Sequence, residues 1–312
     1  MSRDPLTAPP VDDDDVAGWT AAVGLAGLID LHVHFLPDRV MTKVWAFFDR
    51  TAQDYDMPWS VHYRLPEDER VAVLRAMGVR VFAPLVYPHK PEMAQWLNGW
   101  VADFAAAVPE AVPTATLYPE PGVAGYLQQA LDGGARVVKV HVQVGDFDPR
   151  DALLDPAWGL LAEAGVPVVV HCGHGPYPGR HTGLDVFGEV LAAHPRLVAV
   201  LAHAGMPDYQ AALDLVRRYP GVHLDTTMVG VPFSETLAPL PANWPAQLAE
   251  VADRVVLGTD FPNIPYDYAT QLRAIASWAA VDDRLGKPFL RAVLHDTPAR
   301  LLRLGVAQRL PG

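Results

Sequence analysis

The segment Gly27-Leu28-Ile29-Asp30-Leu31-His32-Val33-His34 sets two imidazoles two residues apart, with a carboxylate two residues before the first. Its apolar run fits a buried strand, and strand alternation puts Asp30, His32 and His34 on one face. Imidazole and carboxylate side chains gathered in this way suit a divalent transition metal, zinc above all. Similar residues close other apolar runs: Lys139 and His141, His171 after Val168-Val169-Val170, His203, Asp225, and Asp260 after Leu257-Gly258-Thr259. One strand-end histidine is ordinarily a hydrogen-bonded structural residue. Histidines at several such ends, with an aspartate on the last, describe a metal centre.

Such residues converge only if a repeating scaffold carries them. After the opening strand, helical stretches at about 67–77, 91–107, 123–132, 151–164, 184–193, 208–219 and 242–252 alternate with apolar runs of strand length. Those strands fall at about 79–86, 112–117, 136–144, 166–170, 197–201, 222–225 and 254–260. Eight strands alternating with helices predict parallel βαβ units, and a (β/α)8 TIM barrel fits better than an open sheet. The polar residues above sit at the C-terminal ends of the strands, the face where active sites of this fold lie. Two further helices, at about 267–279 and 287–304, would complete the outer ring. No linker or repeat divides the chain, so residues 25–312 read as one barrel domain.

Two segments interrupt this rhythm. Residues 35–66 hold Phe35, Trp45, Phe47, Phe48, Tyr55, Trp59 and Tyr63. They read as a helical insertion packed by its own aromatics, with a helix at about 40–50, or as a lid over the site, and one segment can be both. Residues 1–24 read as an acidic tail, because Asp12-Asp13-Asp14-Asp15 repel one another and Pro9, Pro10 and Gly18 carry no periodic pattern.

Composition removes several classes of function. A net charge of −12 argues against nucleic acid or an anionic membrane as the main partner and leaves a small-molecule substrate. Cys172 is the only cysteine, so no intrachain disulfide and no thiol-rich zinc motif can form, and a reducing cytoplasm fits. The start Met-Ser-Arg-Asp-Pro-Leu lacks the order of a signal peptide, and no apolar run approaches the ~20 residues that span a bilayer. A soluble cytoplasmic protein is expected. Cys172 follows His171 directly, so the two point to opposite faces of a strand and cannot act as nucleophile and base. None of the four serines lies in a Gly-x-Ser-x-Gly elbow. The run Gly173-His174-Gly175-Pro176-Tyr177-Pro178-Gly179 reads as a flexible site loop, with His174 and Arg180 as candidate substrate contacts.

Asp30-x-His32-x-His34, Val168-Val169-Val170-His171, Ala202-His203-Ala204-Gly205 and Leu257-Gly258-Thr259-Asp260-Phe261-Pro262 resemble the motifs of the amidohydrolase superfamily. The likeness is to its amidohydrolase-related branch, which includes aminocarboxymuconate semialdehyde decarboxylase, and it extends from about Gly27 to Leu304. It implies one divalent ion, zinc first, held by His32, His34, His171 and Asp260, with His203 orienting or deprotonating a metal-activated water. Asp260 then has a catalytic part as well as a ligand's. Other branches carry a carboxylated lysine at the fourth strand that bridges two ions, and Lys139 keeps that binuclear alternative open. The single-ion reading makes Lys139 or His141 a contact for an anionic substrate group. Asp30 then supports the ligands from behind. A homodimer is the assembly the resemblance implies.

The leading expectation is a metal-dependent hydrolase acting on an amide, lactone or ester of a small, carboxylate-bearing substrate. A non-oxidative decarboxylase of a small unsaturated or aromatic acid is the alternative, because the branch hosts both chemistries on nearly the same ligands. A barrel that binds a ligand without catalysis is the third, and a complete ligand set argues against it.

Overall fold

A computed structural model describes residues 4–305. Eight strands alternate with helices along the chain: β1 (Leu28–Val33), β2 (Val79–Pro84), β3 (Thr114–Thr116), β4 (Val137–His141), β5 (Val168–His171), β6 (Ala199–Leu201), β7 (Val222–Asp225) and β8 (Val255–Val256). Every ladder is parallel, and each strand pairs with its neighbour in sequence, β1 with β2 and β3 through β8 in order. Two isolated parallel bridges join the two sheets in the same order. Phe82 meets Ala111 just ahead of β3, and Val33 meets Phe261 just after β8. This is the TIM-barrel arrangement expected from the alternation.

The strands are near-continuous runs of Val, Leu and Ile because both faces are covered. One core cluster fills the space between strands, with Ile29, Leu31, Ala83, Val137, Val169, Val200 and Val256. Leu301, Leu302 and Leu304 join it. Arg136 donates to the Leu302 and Arg303 carbonyls at 3.0 and 3.1 Å, which ties this C-terminal segment to the start of β4. The larger cluster lies between strands and helices, with Leu28, Val33, Val138, Val140, Val168, Val170 and the aromatic residues Phe35, Phe82 and Phe104.

Several elements depart from expectation for local reasons. Strand β8 is only Val255–Val256, because from Leu257 onward the backbone bonds elsewhere: the Leu257 amide donates to Val293, and the Asp260 amide to His32. The last helix is not uniform. Pro298 has no N–H to offer the carbonyl four residues back, and the turn Ala292–Asp296 widens into a π-helix between Gly286–Arg291 and Thr297–Leu301.

The expected acidic tail is not one. Residues Val16–Val23 form a helix that buries Val16, Trp19, Thr20 and Val23, the i, i+3, i+4, i+7 stripe of an amphipathic helix. The aspartates before it form a short 3-10 turn, Asp13–Asp15, capped by the Asp12 carboxylate. Negative charge suits the positive end of the helix that follows, so the acidic run is part of a folded element.

The insertion after β1 holds helices Asp38–Phe48 and Thr51–Tyr55. Its aromatics pack on one another, Phe48 stacking on Trp59 at 4.8 Å, and outward onto later loops, where Trp59 meets Phe233 at 4.9 Å and Tyr55 meets Tyr177 at 4.3 Å. Trp59 and Trp45 donate to the Asn263 carbonyl and side chain at 2.6 and 3.1 Å. The buried Arg70 guanidinium lies over both Phe35 and Trp45. Packed helices and a wall over the C-terminal ends of the strands are thus the same structure.

Candidate metal centre

The site begins with an irregularity in β1. From Asp30 to Val33 this strand takes three steps while its partner takes two, Phe82 to Pro84. The extra residue is a bulge, and a bulge re-aims side chains. Leu31 accordingly packs with the inner cluster and Val33 with the outer one, although they are two apart. The expectation that Asp30 shares a face with His32 and His34 therefore fails. The Asp30 carboxylate turns to the Thr259 hydroxyl at 2.6 Å and to Tyr268, on the helix Tyr268–Val281, at 2.9 Å. It also accepts the His32 amide at 3.1 Å, so it buttresses the first histidine through the backbone. Burial pushes its pKa up to about 7, against the pull of those hydrogen bonds.

His32, His34 and Asp260 form the centre, with ligand atoms all within 4.8 Å of one another. Each histidine has one nitrogen committed to the protein. The His34 Nδ1 must donate to the Leu85 carbonyl, 2.8 Å away, because a carbonyl only accepts. Its Nε2 then carries a lone pair, and it lies 2.8 Å from the Asp260 Oδ1. The His32 Nδ1 lies 2.7 Å from the Asp225 carboxylate, which leaves its Nε2 facing Asp260 at 3.4 Å. Two nitrogen lone pairs and a carboxylate that point at one another call for positive charge among them; the Lys139 Nζ supplies some at the His32 nitrogen, 3.0 Å away, and the donor set itself fits a metal.

Electrostatics agree. Burial would raise the Asp260 carboxyl, but the imidazoles of His34, His32 and His203 packed around it hold it well below the usual range, so it stays ionised. Burial, with Lys139 beside it, holds His32 far below the ordinary histidine value, which keeps its ring neutral. Asp260 and His203 both adopt left-handed backbone, at φ 67° and 55°. For residues with a Cβ this costs energy, and such strain collects at functional sites.

Gly258 allows the convergence. A Cβ there would lie 2.5 Å from the Thr227 hydroxyl, 2.9 Å from the His32 Cβ and 3.2 Å from the Asp225 carboxyl carbon. Only glycine lets β1, β7 and the end of β8 approach this closely.

The other expected residues fall in two groups. His171 and His203 border the centre: the His203 ring lies 5.6 Å from His32 and 4.6 Å from His171, which stacks on His141 at 4.1 Å. The His171 Nε2 donates to the Gly175 carbonyl at 2.9 Å, so its lone pair is on Nδ1. The His203 Nδ1 is buried with no hydrogen-bond partner among the described residues, and burial brings its pKa down to about 4. The Lys139 Nζ reaches the His32 Nε2 at 3.0 Å. Burial lowers its pKa to about 8 although Asp260 and Asp225 pull the other way. His174 and Arg180 make their contacts elsewhere. His174 bonds Thr182 within its own loop at 2.8 Å, and Arg180 is an exposed partner of Asp146. The His141 Nδ1 accepts from the Val144 amide and caps a short turn, while its ring stays in the stack. Cys172 is buried, and its thiol is pushed up to about 12 by burial, as suits packing rather than attack.

Asp225 is the residue whose part was not foreseen. Its two oxygens take the His32 Nδ1 and the His203 amide, both at 2.7 Å, so one carboxylate sets two histidines. Its place at a strand end was visible. Its partner on β1, 193 positions away, was not.

A family profile described as Amidohydrolase matches residues 29–304. None of the curated proteins matches the chain. Among solved structures, an uncharacterized TIM-barrel protein from Bordetella bronchiseptica matches with a TM-score of 0.66 at 23% identity, over 91% of this chain and 99% of that one. An amidohydrolase from Burkholderia multivorans with bound zinc matches at 0.59 and 18%, over 90% and 100%. A 5-carboxyvanillate decarboxylase from Sphingomonas paucimobilis matches at 0.56 and 15%, over 90% and 100%. At these identities the likeness is one of fold.

Proposed function

The chain belongs to the amidohydrolase family, and from that premise we propose a metal-dependent hydrolase of a small carboxylate-bearing amide, lactone or ester. The observation that carries this reading is the convergence of the His32 and His34 Nε2 lone pairs on the Asp260 carboxylate, a donor set that fits a divalent cation. These three residues would hold one divalent ion, zinc in the first instance, with the His171 Nδ1 as the fourth donor. A bound ion of this kind supplies Lewis acidity, which acidifies water and stabilises charge developing on an attacked carbonyl oxygen.

The remaining steps belong to side chains. His203, kept neutral by burial, has a buried nitrogen with no partner among the described residues and is the base that takes a proton from the attacking water. Asp225 fixes that histidine through its amide and fixes the tautomer of His32. Lys139 puts a buried cation beside the centre, a counter-charge for a substrate carboxylate. The same lysine supports the second reading, decarboxylation, because a carboxylate held there would lie next to the ion.

The test is a screen of small carboxylic acids, lactones and amides against zinc-loaded protein, with acid production and carbon dioxide followed separately. Acid release with about one zinc per chain is expected from a single open site of this type. Asp260→Asn should abolish it with the fold intact; undiminished turnover by that variant would remove Asp260 from the mechanism. Carbon dioxide without acid would select the lyase.

A further inference from the structure

The turn that carries Asp260 is held from two sides. On the barrel side the Asp260 amide donates to the His32 carbonyl at 2.8 Å, and the Phe261 carbonyl accepts the His34 amide at 2.6 Å, so the turn is laced to β1. On the other side lies the insertion after β1. Tyr63 packs its ring on Phe261 at 4.7 Å, and the His62 amide donates to the Ile264 carbonyl at 2.8 Å. The Trp59 indole donates to the Asn263 carbonyl at 2.6 Å and the Trp45 indole to the Asn263 side-chain oxygen at 3.1 Å. The Asn263 amide in turn donates to the Asp260 carbonyl at 2.9 Å, which closes the turn 260–263.

Asp260 needs such support. Its left-handed backbone, at φ 67°, costs energy for a residue with a Cβ, and strain of this kind persists only where the surroundings over-determine it. Asn263 is buried, so its two oxygens depend on the indoles, and a buried acceptor that loses its donor is destabilised. Each indole is aimed by contacts of its own. Phe48 and Phe233 pack on the Trp59 ring at 4.8 and 4.9 Å, and the Arg64 and Arg70 guanidinium groups lie over the Trp45 ring at 5.5 and 5.7 Å. The insertion thus reaches a metal ligand through one asparagine.

We propose that Trp45 and Trp59 are positioning residues for Asp260: by holding Asn263 they fix the turn from which the carboxylate reaches the ion, so that docking of the insertion and metal binding are coupled. This rests on the metal-dependent reading of the centre and gives the insertion a part in metal binding beyond that of a wall over the strand ends. The coupling is reciprocal. Whatever the docked insertion adds to zinc affinity, bound zinc returns to the docked insertion.

Zinc affinity is measured by chelator competition on the full chain, for wild type, Trp45→Phe, Trp59→Phe, Asn263→Ala and the double variant Trp45→Phe with Asn263→Ala. Each single change should raise the zinc Kd roughly tenfold, the scale for a partner that orients a metal ligand. Because Trp45 acts through the Asn263 side chain, the double variant should bind zinc no more weakly than Asn263→Ala alone. A second measurement needs no variant: in wild type, zinc should slow hydrogen exchange of the His62 amide, which joins the insertion to the turn, by a similar factor of roughly ten. A wild-type zinc Kd in Trp45→Phe or Trp59→Phe overturns the proposal, and if their thermal midpoints fall all the same the indoles serve packing alone. Additive losses in the double variant overturn it too, as does His62 exchange indifferent to zinc, and this last result decides where a variant does not fold. Failure of the metal reading is seen separately, as wild-type protein that retains no zinc, and it removes this proposal with it.

Discussion

Asp225 decides which nitrogen of His32 is free. Its carboxylate can only accept, so the His32 Nδ1 must hold the proton and Nε2 the lone pair that faces Asp260. In Asp225→Asn the amide can donate instead, which allows the proton to move to Nε2 and closes the lone pair to a metal. Zinc affinity is expected to fall by about 10- to 100-fold with the fold retained, measured by competition with a chelator. Unchanged affinity would mean that Thr227, 3.1 Å from the same nitrogen, sets the tautomer alone. At this scale the residue types at strand ends were legible, since His32, His34 and Asp260 are plain in the sequence and do meet. What could not be read was pairing across the barrel. Asp30 shows the same limit: alternation assigns it to the face of His32, and a one-residue bulge, invisible without the partner strand, removes it.

Strand β7 carries two polar residues on alternate positions and uses them differently. Asp225 closes on the site, while His223 is buried with its Nδ1 on the Gly221 carbonyl at 3.0 Å and its Nε2 without a partner among the described residues. Burial lowers the His223 pKa to about 4, against 6.5 for the free side chain. A base whose folded pKa is depressed binds a proton more readily when unfolded. Stability from this group is therefore complete above pH 6.5 and declines as pH falls from 6.5 towards 4, by at most about 3 kcal/mol. The variant His223→Phe should show a flatter dependence than wild type across that window in urea unfolding followed at several pH values. Parallel slopes would show that His223 is not held neutral. The strand elements were legible because parallel strands covered on both faces are apolar throughout. Their ends were not: β8 stops after Val256 because the next amide and carbonyl serve Val293 and Leu31.

The molecule joins its start to its centre through hydrogen bonds that run across the whole chain. The Asp13 carboxylate accepts the Tyr63 hydroxyl and, at 3.0 Å, the Ala269 amide. The Tyr63 hydroxyl also accepts the Tyr268 amide at 2.6 Å, and the Tyr268 hydroxyl reaches Asp30, which holds the His32 backbone. Asp13 thus serves as a cap, supplied from the far end of the sequence, for the helix Tyr268–Val281 that carries Tyr268. An acidic run before a short amphipathic helix gives no sign of such a partner 256 positions away, which is why this segment reads as a tail in the sequence alone. Asp13→Ala removes both acceptors and strands the Ala269 amide near the start of its helix. The cost should be about 1–2 kcal/mol, seen as a thermal midpoint lower by a few degrees. Because the network ends on His32, zinc affinity should weaken in the same variant, and Asp13→Asn, which keeps one acceptor, should recover part of both. A midpoint that falls while zinc affinity stays fixed would confine the network to stability and separate the N-terminal segment from the metal centre.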